Sequence, residues 1–249
     1  MDKEIYFFST CLIDLLYPKA GLSAMQLIRN EGIKVRFPKN QSCCGQPAYN
    51  SGYRTEALAV ARSLIKCFKR EIPIIVPSAS CAGMIKYHWS ELFSGQYDEQ
   101  LAINIASRTM ELTQYLNQNL HIKLTDLGDP LEITVHSSCS ALREMKVGDD
   151  IQALIAQLKN VTVLEHQRKT ECCGFGGTFS IKYGDISGRL ADLKCEEVEQ
   201  SGADTLVLGD LGCILNIEGR LRRRGNSKTK VLHIAEVLAG ENLGDETPK

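Results

Sequence analysis

Short apolar runs alternate with longer amphipathic segments along this chain of 249 residues. The runs carry few charges and each is followed by a loop, which is typical of strands buried on both faces of a parallel sheet. The predicted strands cover residues 5–8, 33–37, 73–76, 132–135, 161–164, 205–208 and 231–234.

The segments between these strands carry apolar residues at helical spacing. Helices are predicted over residues 18–30, 52–70, 84–93, 99–117, 150–159 and 185–200, with a short one ending at 239. Alternating strands and helices indicate right-handed βαβ units and an α/β fold with mostly parallel sheets.

The order of elements repeats, which predicts two tandem pseudo-symmetric βαβ-type halves. The turn-forming stretch 126–130 is the expected boundary between them. We therefore expect a first cysteine-rich module over 1–127, a second over 128–240 and a polar tail over 241–249.

The cysteines repeat in the same order as the predicted strands and helices. A vicinal pair followed by glycine occurs twice, with one cysteine about 32 residues before each pair and one about 38 residues after it. Each of these cysteines follows a predicted strand, and ligands in such folds collect beyond the carboxyl ends of the strands. We therefore expect four thiols to meet in each half: Cys11, Cys43, Cys44 and Cys81 in the first, and Cys139, Cys172, Cys173 and Cys213 in the second. Cys67 and Cys195 fall within predicted helices and are expected to be buried apolar residues.

Composition narrows the function classes. The formal net charge of −1 gives no global basic field for nucleic acid. The amino-terminal apolar run is too short for a signal peptide, and no run is long enough for a membrane-spanning helix. The expected location is therefore cytoplasmic. Ten cysteines in a reducing compartment point to metal binding or redox chemistry rather than to disulfides.

Four converging thiolates favour an iron–sulfur cluster, which typically takes four such ligands. Zinc is the less favoured alternative, because its usual cysteine sites are built from close C-x2-4-C knuckles that neither half contains. Gly45 and Gly174 can adopt positive φ angles and turn the backbone sharply after each pair. The remaining alternative is a thiol–disulfide redox protein that uses the vicinal pairs for exchange.

The cysteine spacing resembles the CCG cysteine-rich domain, which occurs in pairs in a subunit of heterodisulfide reductase and in the iron–sulfur subunit of glycolate oxidase. Three segments, 77–84 (PSASCAGM), 171–182 (ECCGFGGTFSIK) and 219–225 (GRLRRRG), resemble the lactate utilization protein A family more closely. The likeness covers nearly the whole chain.

This resemblance implies a cytoplasmic iron–sulfur subunit of a multi-subunit complex that oxidises L-lactate to pyruvate. It implies a role in electron transfer or catalysis at Cys-ligated clusters, and companion subunits that include a ferredoxin-type iron–sulfur protein. The chain would be an oxidoreductase component of an L-lactate dehydrogenase complex that is not active alone. The eight cysteines named above would be the cluster ligands, and the cluster would be of the 4Fe-4S type.

The chain departs from the family pattern in three places. Met84 and Asn216 stand where the heterodisulfide reductase modules have a fifth cysteine. This favours a four-thiolate cluster, or one with an open or non-cysteine position, over a five-thiolate one. Ser140 follows Cys139 where close relatives often have histidine. We therefore predict no histidine ligand at that point.

A few polar residues remain as candidates. His88 and His136 lie close in sequence to cysteines and are interpreted either as loop residues that form hydrogen bonds or as hydrogen-bond donors or proton carriers at a cluster. The basic run Arg220–Arg224 is interpreted as a solvated helix end or as a docking site for an acidic partner or a carboxylate. A zinc-bound scaffold that joins its companion subunits remains the alternative from outside the redox classes.

Overall fold

The computed structural model describes residues 3–126 and 128–240. These residues form two four-stranded sheets whose strand pairs are all parallel. The strand order is β2-β1-β3-β4 in the first sheet and β6-β5-β7-β8 in the second, so the two halves share one topology. This confirms the predicted α/β fold with two similar halves. The predicted polar tail, 241–249, lies outside the described residues.

The strands are short, and the central ones are the most deeply buried. All four residues of β7 are buried, whereas the edge strands β2 and β6 are partly exposed, in keeping with their higher polar content. The strands are β1 Glu4–Phe7, β2 Lys34–Arg36, β3 Ile74–Val76, β4 Thr109–Glu111, β5 Leu131–His136, β6 Val161–Val163, β7 Thr205–Leu208 and β8 Lys230–His233.

Helices connect the strands in both halves. In the first half they are α1 Cys11–Leu16, α2 Pro18–Asn30, α3 Gln46–Asn50, α4 Arg54–Ile65, α5 Ala79–Gly83, α6 Trp89–Leu92, α7 Glu99–Ser107 and α8 Leu112–Gln114. In the second half they are α9 Gly148–Ile155, α10 Phe179–Lys182, α11 Gly184–Ser201, α12 Leu211–Arg223 and α13 Ile234–Leu238. Three single π-helical turns cover Met84–His88, Tyr115–Asn119 and Ser140–Glu144.

The prediction of one helix over 99–117 was wrong. Helix α7 ends at Ser107, and the next residues form β4, which pairs with β3 in the register Ile74↔Thr109. Glu111 then caps α8 by accepting hydrogen bonds from the amides of Thr113 and Gln114. Pairing with a distant strand decides the conformation of three residues whose own pattern is helical, so β4 is the first-half equivalent of β8.

Two further boundaries differ from the prediction. Helix α4 ends at Ile65, so Cys67 lies beyond it in a turn, half-buried, and its thiol donates to the carbonyl of Asn40 at 3.2 Å. The interpretation of Arg220–Arg224 as a helix end anticipated where α12 ends, but the beginning of this helix was not predicted. It begins shortly after β7 and carries Cys213 in its first turn.

The two halves share a core. Ile133, Val207 and Ile234 of the second half belong to the same apolar cluster as the first-half core, and α13 packs on α2. The ring Nε2 of His233 lies 3.0 Å from the carbonyl oxygen of Pro77 and 3.1 Å from that of Gly209. The carboxyl ends of both sheets are therefore held next to each other.

The predicted boundary at 127/128 remains a prediction. The first sheet ends at Glu111 and the second begins at Leu131, and residue 127 lies outside the described residues. None of the helices in the described ranges combines the length and the apolar character needed to cross a bilayer.

Candidate metal centres

The first candidate centre lies at the carboxyl ends of β1, β2 and β3. Cys11 begins α1, Cys43 and Cys44 lie in the loop before α3, and Cys81 lies in α5. The Cys44 and Cys81 sulfur atoms are 3.5 Å apart, and Cys43 is hydrogen-bonded to both Cys11 and Cys44. The structure thus brings together four thiols that follow three different strands.

The second candidate centre repeats this arrangement at the ends of β5, β6 and β7. Cys139 precedes the π-helical turn Ser140–Glu144, Cys172 and Cys173 lie in the loop before α10, and Cys213 lies in α12. The Cys173 and Cys213 sulfur atoms are 3.0 Å apart, and Cys172 is hydrogen-bonded to Cys139 and Cys173. Four thiols again meet at one edge of a parallel sheet.

A glycine with positive φ follows each vicinal pair. Gly45 has φ of 91° and Gly174 has φ of 87°. A Cβ atom at Gly174 would lie 2.6 Å from the carbonyl oxygen of Ser187, and one at Gly45 would lie 3.1 Å from that of Ala57. Only glycine fits this turn without strain. The turn also directs the Gly174 amide to the Cys172 sulfur at 3.3 Å.

Hydrogen bonding stabilises the thiolate form of one cysteine in each centre. Hydrogen bonds from Cys11 and Cys44 lower the pKa of Cys43 to about 3, and those from Cys139 and Cys173 lower the pKa of Cys172 to about 2. The pKa values of Cys11 and Cys139 are raised, because each keeps the proton that it donates to its partner and each is partly buried. Since metals bind the thiolate, both centres offer one ligand already ionised.

In each centre a side chain donates a hydrogen bond to the backbone carbonyl of the second cysteine of the vicinal pair. The indole Nε1 of Trp89 donates to the carbonyl oxygen of Cys44 at 3.1 Å. In the second half the amide of Asn216 donates to the carbonyl oxygen of Cys173 at 2.8 Å. Asn216 therefore has a hydrogen-bonding role at the position of the fifth cysteine, and Met84, its counterpart, is fully buried in the core.

His136 lies at the second centre. It is the last residue of β5 and only 2% exposed, and neither ring nitrogen has a hydrogen-bond partner within residues 3–126 and 128–240. One ring nitrogen and the sulfur atoms of Cys173 and Cys213 lie within 4.8 Å of one another. Burial, followed by the charge of Lys194, lowers the pKa of His136 to about 3, so the imidazole is neutral.

A buried carboxylate connects the two centres. Asp210 Oδ1 accepts hydrogen bonds from the Ser78 hydroxyl at 2.6 Å and from the Ser80 hydroxyl at 2.7 Å, and Oδ2 accepts one from the Ser138 hydroxyl. These residues flank the outer cysteines of the two modules in sequence. Sequence reasoning missed this network. One feature of the sequence could have indicated it. Ser78 and Asp210 both stand three residues before the last cysteine of their module, and only the second half has a carboxylate at this position.

The other sequence candidates lie in different surroundings. His88 Nε2 is 3.0 Å from a carboxylate oxygen of Glu144. In the basic run, Arg220 and Arg224 both bind Asp192, at 2.7 Å and 3.1 Å. Cys195 is fully buried in the second-half core, and its thiol lies 3.7 Å from the carbonyl oxygen of Ile217. Arg220 and Arg224 are thus engaged within the chain.

The donor sets fit a metal group. Each centre offers four sulfur atoms, and in the second centre a buried imidazole has no hydrogen-bond partner among the described residues. A buried imidazole without a hydrogen bond is costly, and a bound ion is a common reason for one. The groupings therefore suggest metal binding.

Comparison with known proteins places these centres in a family. The model of the CCG cysteine-rich domain matches residues 5–86 and 133–218, one match in each half. Lactate utilization protein A 2 of Bacillus cereus (strain Q1) is 38% identical over 242 residues, which cover 95% of this chain and 98% of that protein. Lactate utilization protein A of Oceanobacillus iheyensis is 41% identical over 238 residues, covering 94% and 96%.

A solved structure supports the fold. The crystal structure of a hypothetical protein from Helicobacter pylori superposes with a TM-score of 0.68 at 12% sequence identity. The match covers 98% of this chain and 50% of that protein, so the chain spans half the length of that protein. With two domain matches and relatives of this identity along almost its full length, the chain belongs to the family of CCG cysteine-rich domain proteins that includes the lactate utilization proteins A.

Proposed function

We propose that this protein is an iron–sulfur subunit of a complex that oxidises L-lactate to pyruvate, with one Cys-ligated cluster of the 4Fe-4S type in each half. The observation that carries the proposal is the meeting of four thiols at equivalent places in two parallel sheets. The relatives named for lactate utilization support the substrate, and the two CCG domains support the cofactor class.

The ligands would be Cys11, Cys43, Cys44 and Cys81 in the first half, and Cys139, Cys172, Cys173 and Cys213 in the second. A bound cluster would supply one-electron redox chemistry. The protein orients the thiols by the strand ends, the glycine turns and the Trp89 and Asn216 hydrogen bonds. Backbone amides such as that of Gly174 stabilise the negative charge on sulfur.

Each centre has a buried side and a more accessible side. Cys44 and Cys173 are buried, whereas Cys11, Cys43, Cys139 and Cys172 are only half-buried. This arrangement shields sulfur from water on one side and leaves a short path to a partner on the other. Oxidation of lactate to pyruvate releases two electrons and two protons, and a companion ferredoxin-type protein would accept the electrons from this chain.

A zinc-bound scaffold is the second candidate, because His136, Cys173 and Cys213 form a compact set of zinc-type donors. Anaerobic purification followed by iron, acid-labile sulfide and zinc analysis tests both functions. We expect about four iron and four sulfide per centre. Cys44→Ala and Cys173→Ala should each lose about half of both, and Cys195→Ala should lose neither. Stoichiometric zinc without sulfide would replace the proposal with the scaffold.

A further inference from the structure

The two centres share a backbone plan but differ in the residue that stands three positions before the first cysteine of each module. This residue is Phe8 in the first half and His136 in the second. We propose that His136 supplies an imidazole nitrogen to the metal group of the second centre, so that the two centres of this chain are chemically unequal. The nature of that group rests on the proposed function.

His136 is not explained as an ordinary core histidine. It is almost completely buried, and in the part of the chain that the structure describes both ring nitrogens lack a hydrogen-bond partner. Moving such a polar group from water into the interior without a compensating hydrogen bond is unfavourable. A leucine or phenylalanine would fill the same space at the end of β5 without this cost, so the ring nitrogen requires a partner that the described residues do not provide.

The position of the ring indicates what that partner is. A nitrogen of His136 and the sulfur atoms of Cys173 and Cys213 lie within 4.8 Å of one another, a spacing at which all three can contact one metal group. In the described ranges 3–126 and 128–240, this is the one group of three His, Cys, Asp or Glu ligand atoms with that spacing. The first centre offers sulfur alone at the equivalent place.

At the position equivalent to His136, the first half has an apolar side chain. Phe8 is fully buried and contacts the ring of Phe68 edge-on, with the ring centroids 6.2 Å apart. Both residues belong to the first-half apolar core. The same backbone position therefore accepts an aromatic ring without polar atoms, and the histidine of the second half is not demanded by the fold.

A buried cation adds a further chemical difference between the two centres. Lys194 on α11 is buried and donates to the carbonyl oxygen of Arg168 at 2.6 Å. The carboxylates of Glu171 and Glu197 attract its charge most strongly, and the sulfur atoms of Cys173 and Cys172 attract it as well. Lys66, which precedes Cys67 as Lys194 precedes Cys195, is exposed. A cation near a cluster stabilises its more negative, reduced state. An imidazole that takes the place of one of the four thiolates of this centre also raises the cluster potential. The second centre should therefore be reduced at a higher potential than the first.

Variants that retain only one centre allow the spectroscopic signals of the two centres to be measured separately. Cys11→Ala with Cys44→Ala leaves the second centre, and Cys139→Ala with Cys173→Ala leaves the first. After anaerobic reconstitution with iron and sulfide, pulsed electron paramagnetic resonance of the reduced proteins measures nitrogen coupling, with ¹⁵N-histidine labelling to identify imidazole. We expect a histidine coupling from the second centre and none from the first.

His136→Phe, which copies the first half, should abolish that coupling and shift the midpoint potential of the second centre to a more negative value. His136→Gln is the second variant in case the phenylalanine disturbs folding, and it should also remove the coupling. The control is His121→Asn, at an exposed position whose positive φ asparagine tolerates, and it should change neither readout.

A second centre that binds iron and sulfide but shows no histidine coupling would overturn this inference and leave the proposed function intact. The same conclusion follows if its spectrum and potential are identical in His136→Phe. Failure of both single-centre proteins to take up iron and sulfide would instead overturn the proposed function, and this inference with it.

Discussion

Ser78 Oγ donates a hydrogen bond of 2.6 Å to Asp210 Oδ1, across 132 positions of sequence. The two residues are equivalents, since each follows the third strand of its half and stands three residues before the last cysteine of its module. The duplicated fold therefore places one position against its own counterpart. The copy that carries aspartate holds the loops of both candidate metal centres.

Replacing this carboxylate should loosen the junction between the halves. In Asp210→Asn, the amide group cannot accept from all of the donors that now surround the carboxylate, among them Ser80 and Ser138, so at least one buried donor is left without a partner. We expect a loss of about 1–3 kcal/mol in the free energy of unfolding, measured by denaturant titration.

Asp204→Asn is the matched control, because Asp204 is exposed in the turn before β7. It should change the free energy of unfolding by less than about 0.5 kcal/mol. Equal stability of the two variants would show that the Asp210 hydrogen bonds add nothing to the folded state.

Gly174→Ala should damage the second centre. The new Cβ would lie 2.6 Å from the Ser187 carbonyl oxygen at a backbone φ of 87°, so the loop that carries Cys172 and Cys173 has to move. We expect the free energy of unfolding to fall by roughly 1–3 kcal/mol and the second half to lose its capacity to bind metal. Thermal unfolding and metal analysis measure the two effects.

Gly219→Ala serves as the comparison for this variant, because Gly219 lies in α12 with nothing within 4 Å of a Cβ. Alanine in a helix interior is favoured over glycine by about 1 kcal/mol, so this variant should keep its capacity to bind metal and gain stability. Full metal binding by Gly174→Ala would contradict the requirement for glycine in the turn.

The side chains of Trp89 and Asn216, which donate hydrogen bonds to carbonyl groups in the two cysteine loops, should control how fast a bound metal is lost. Trp89→Phe keeps an aromatic ring but removes the donor to the Cys44 carbonyl, and Asn216→Leu removes the donor to the Cys173 carbonyl. Each lost hydrogen bond weakens its loop by about 1 kcal/mol, so metal release to a chelator should accelerate roughly fivefold at the affected centre. Unchanged release rates would exclude a positioning role for either side chain.

Stability should depend on pH through Glu111. Burial raises the pKa of this carboxyl to about 7, above the value of a glutamate in the unfolded chain. Between these two values the folded state binds more protons than the unfolded state, so the free energy of unfolding falls as the pH rises through this window. The full contribution is present only at pH values below the unfolded pKa.

Glu111→Gln removes this proton linkage. Its thermal midpoint relative to the unaltered protein should rise between about pH 5 and about pH 8, by an amount equivalent to roughly 1–3 kcal/mol. Cysteine titrations are common to both proteins and cancel in the difference. A difference in midpoint that stays constant across this range would mean that Glu111 does not titrate there.

Several features of this protein could be predicted from local sequence. Apolar runs such as those of β1 and β7 marked central strands, because a strand buried on both faces must be apolar throughout. The duplicated cysteine spacing predicted two similar halves and, through the topology of parallel sheets, the meeting of four thiols in each.

Other features depended on contacts between distant residues. β4 was misassigned because three residues of helical pattern become a strand only when β3 offers them a pairing edge. The hydrogen bonds of Trp89 and Asn216 to the cysteine loops had no signature in spacing, since each side chain reaches its carbonyl from a separate helix.

The amino-acid sequence alone determined the α/β class, the repeat and the chemical class of the candidate ligands, because these follow from periodicity and residue type. Only the tertiary structure decided that His136 turns an unpartnered ring toward Cys173 and Cys213, and that Asp210 meets Ser78. The first outcome depends on how β5, α12 and the loop of Cys172 and Cys173 come together within the second half, and the second depends on how the two halves pack against each other. The free energy of that packing is distributed over many side chains that are far apart in the sequence.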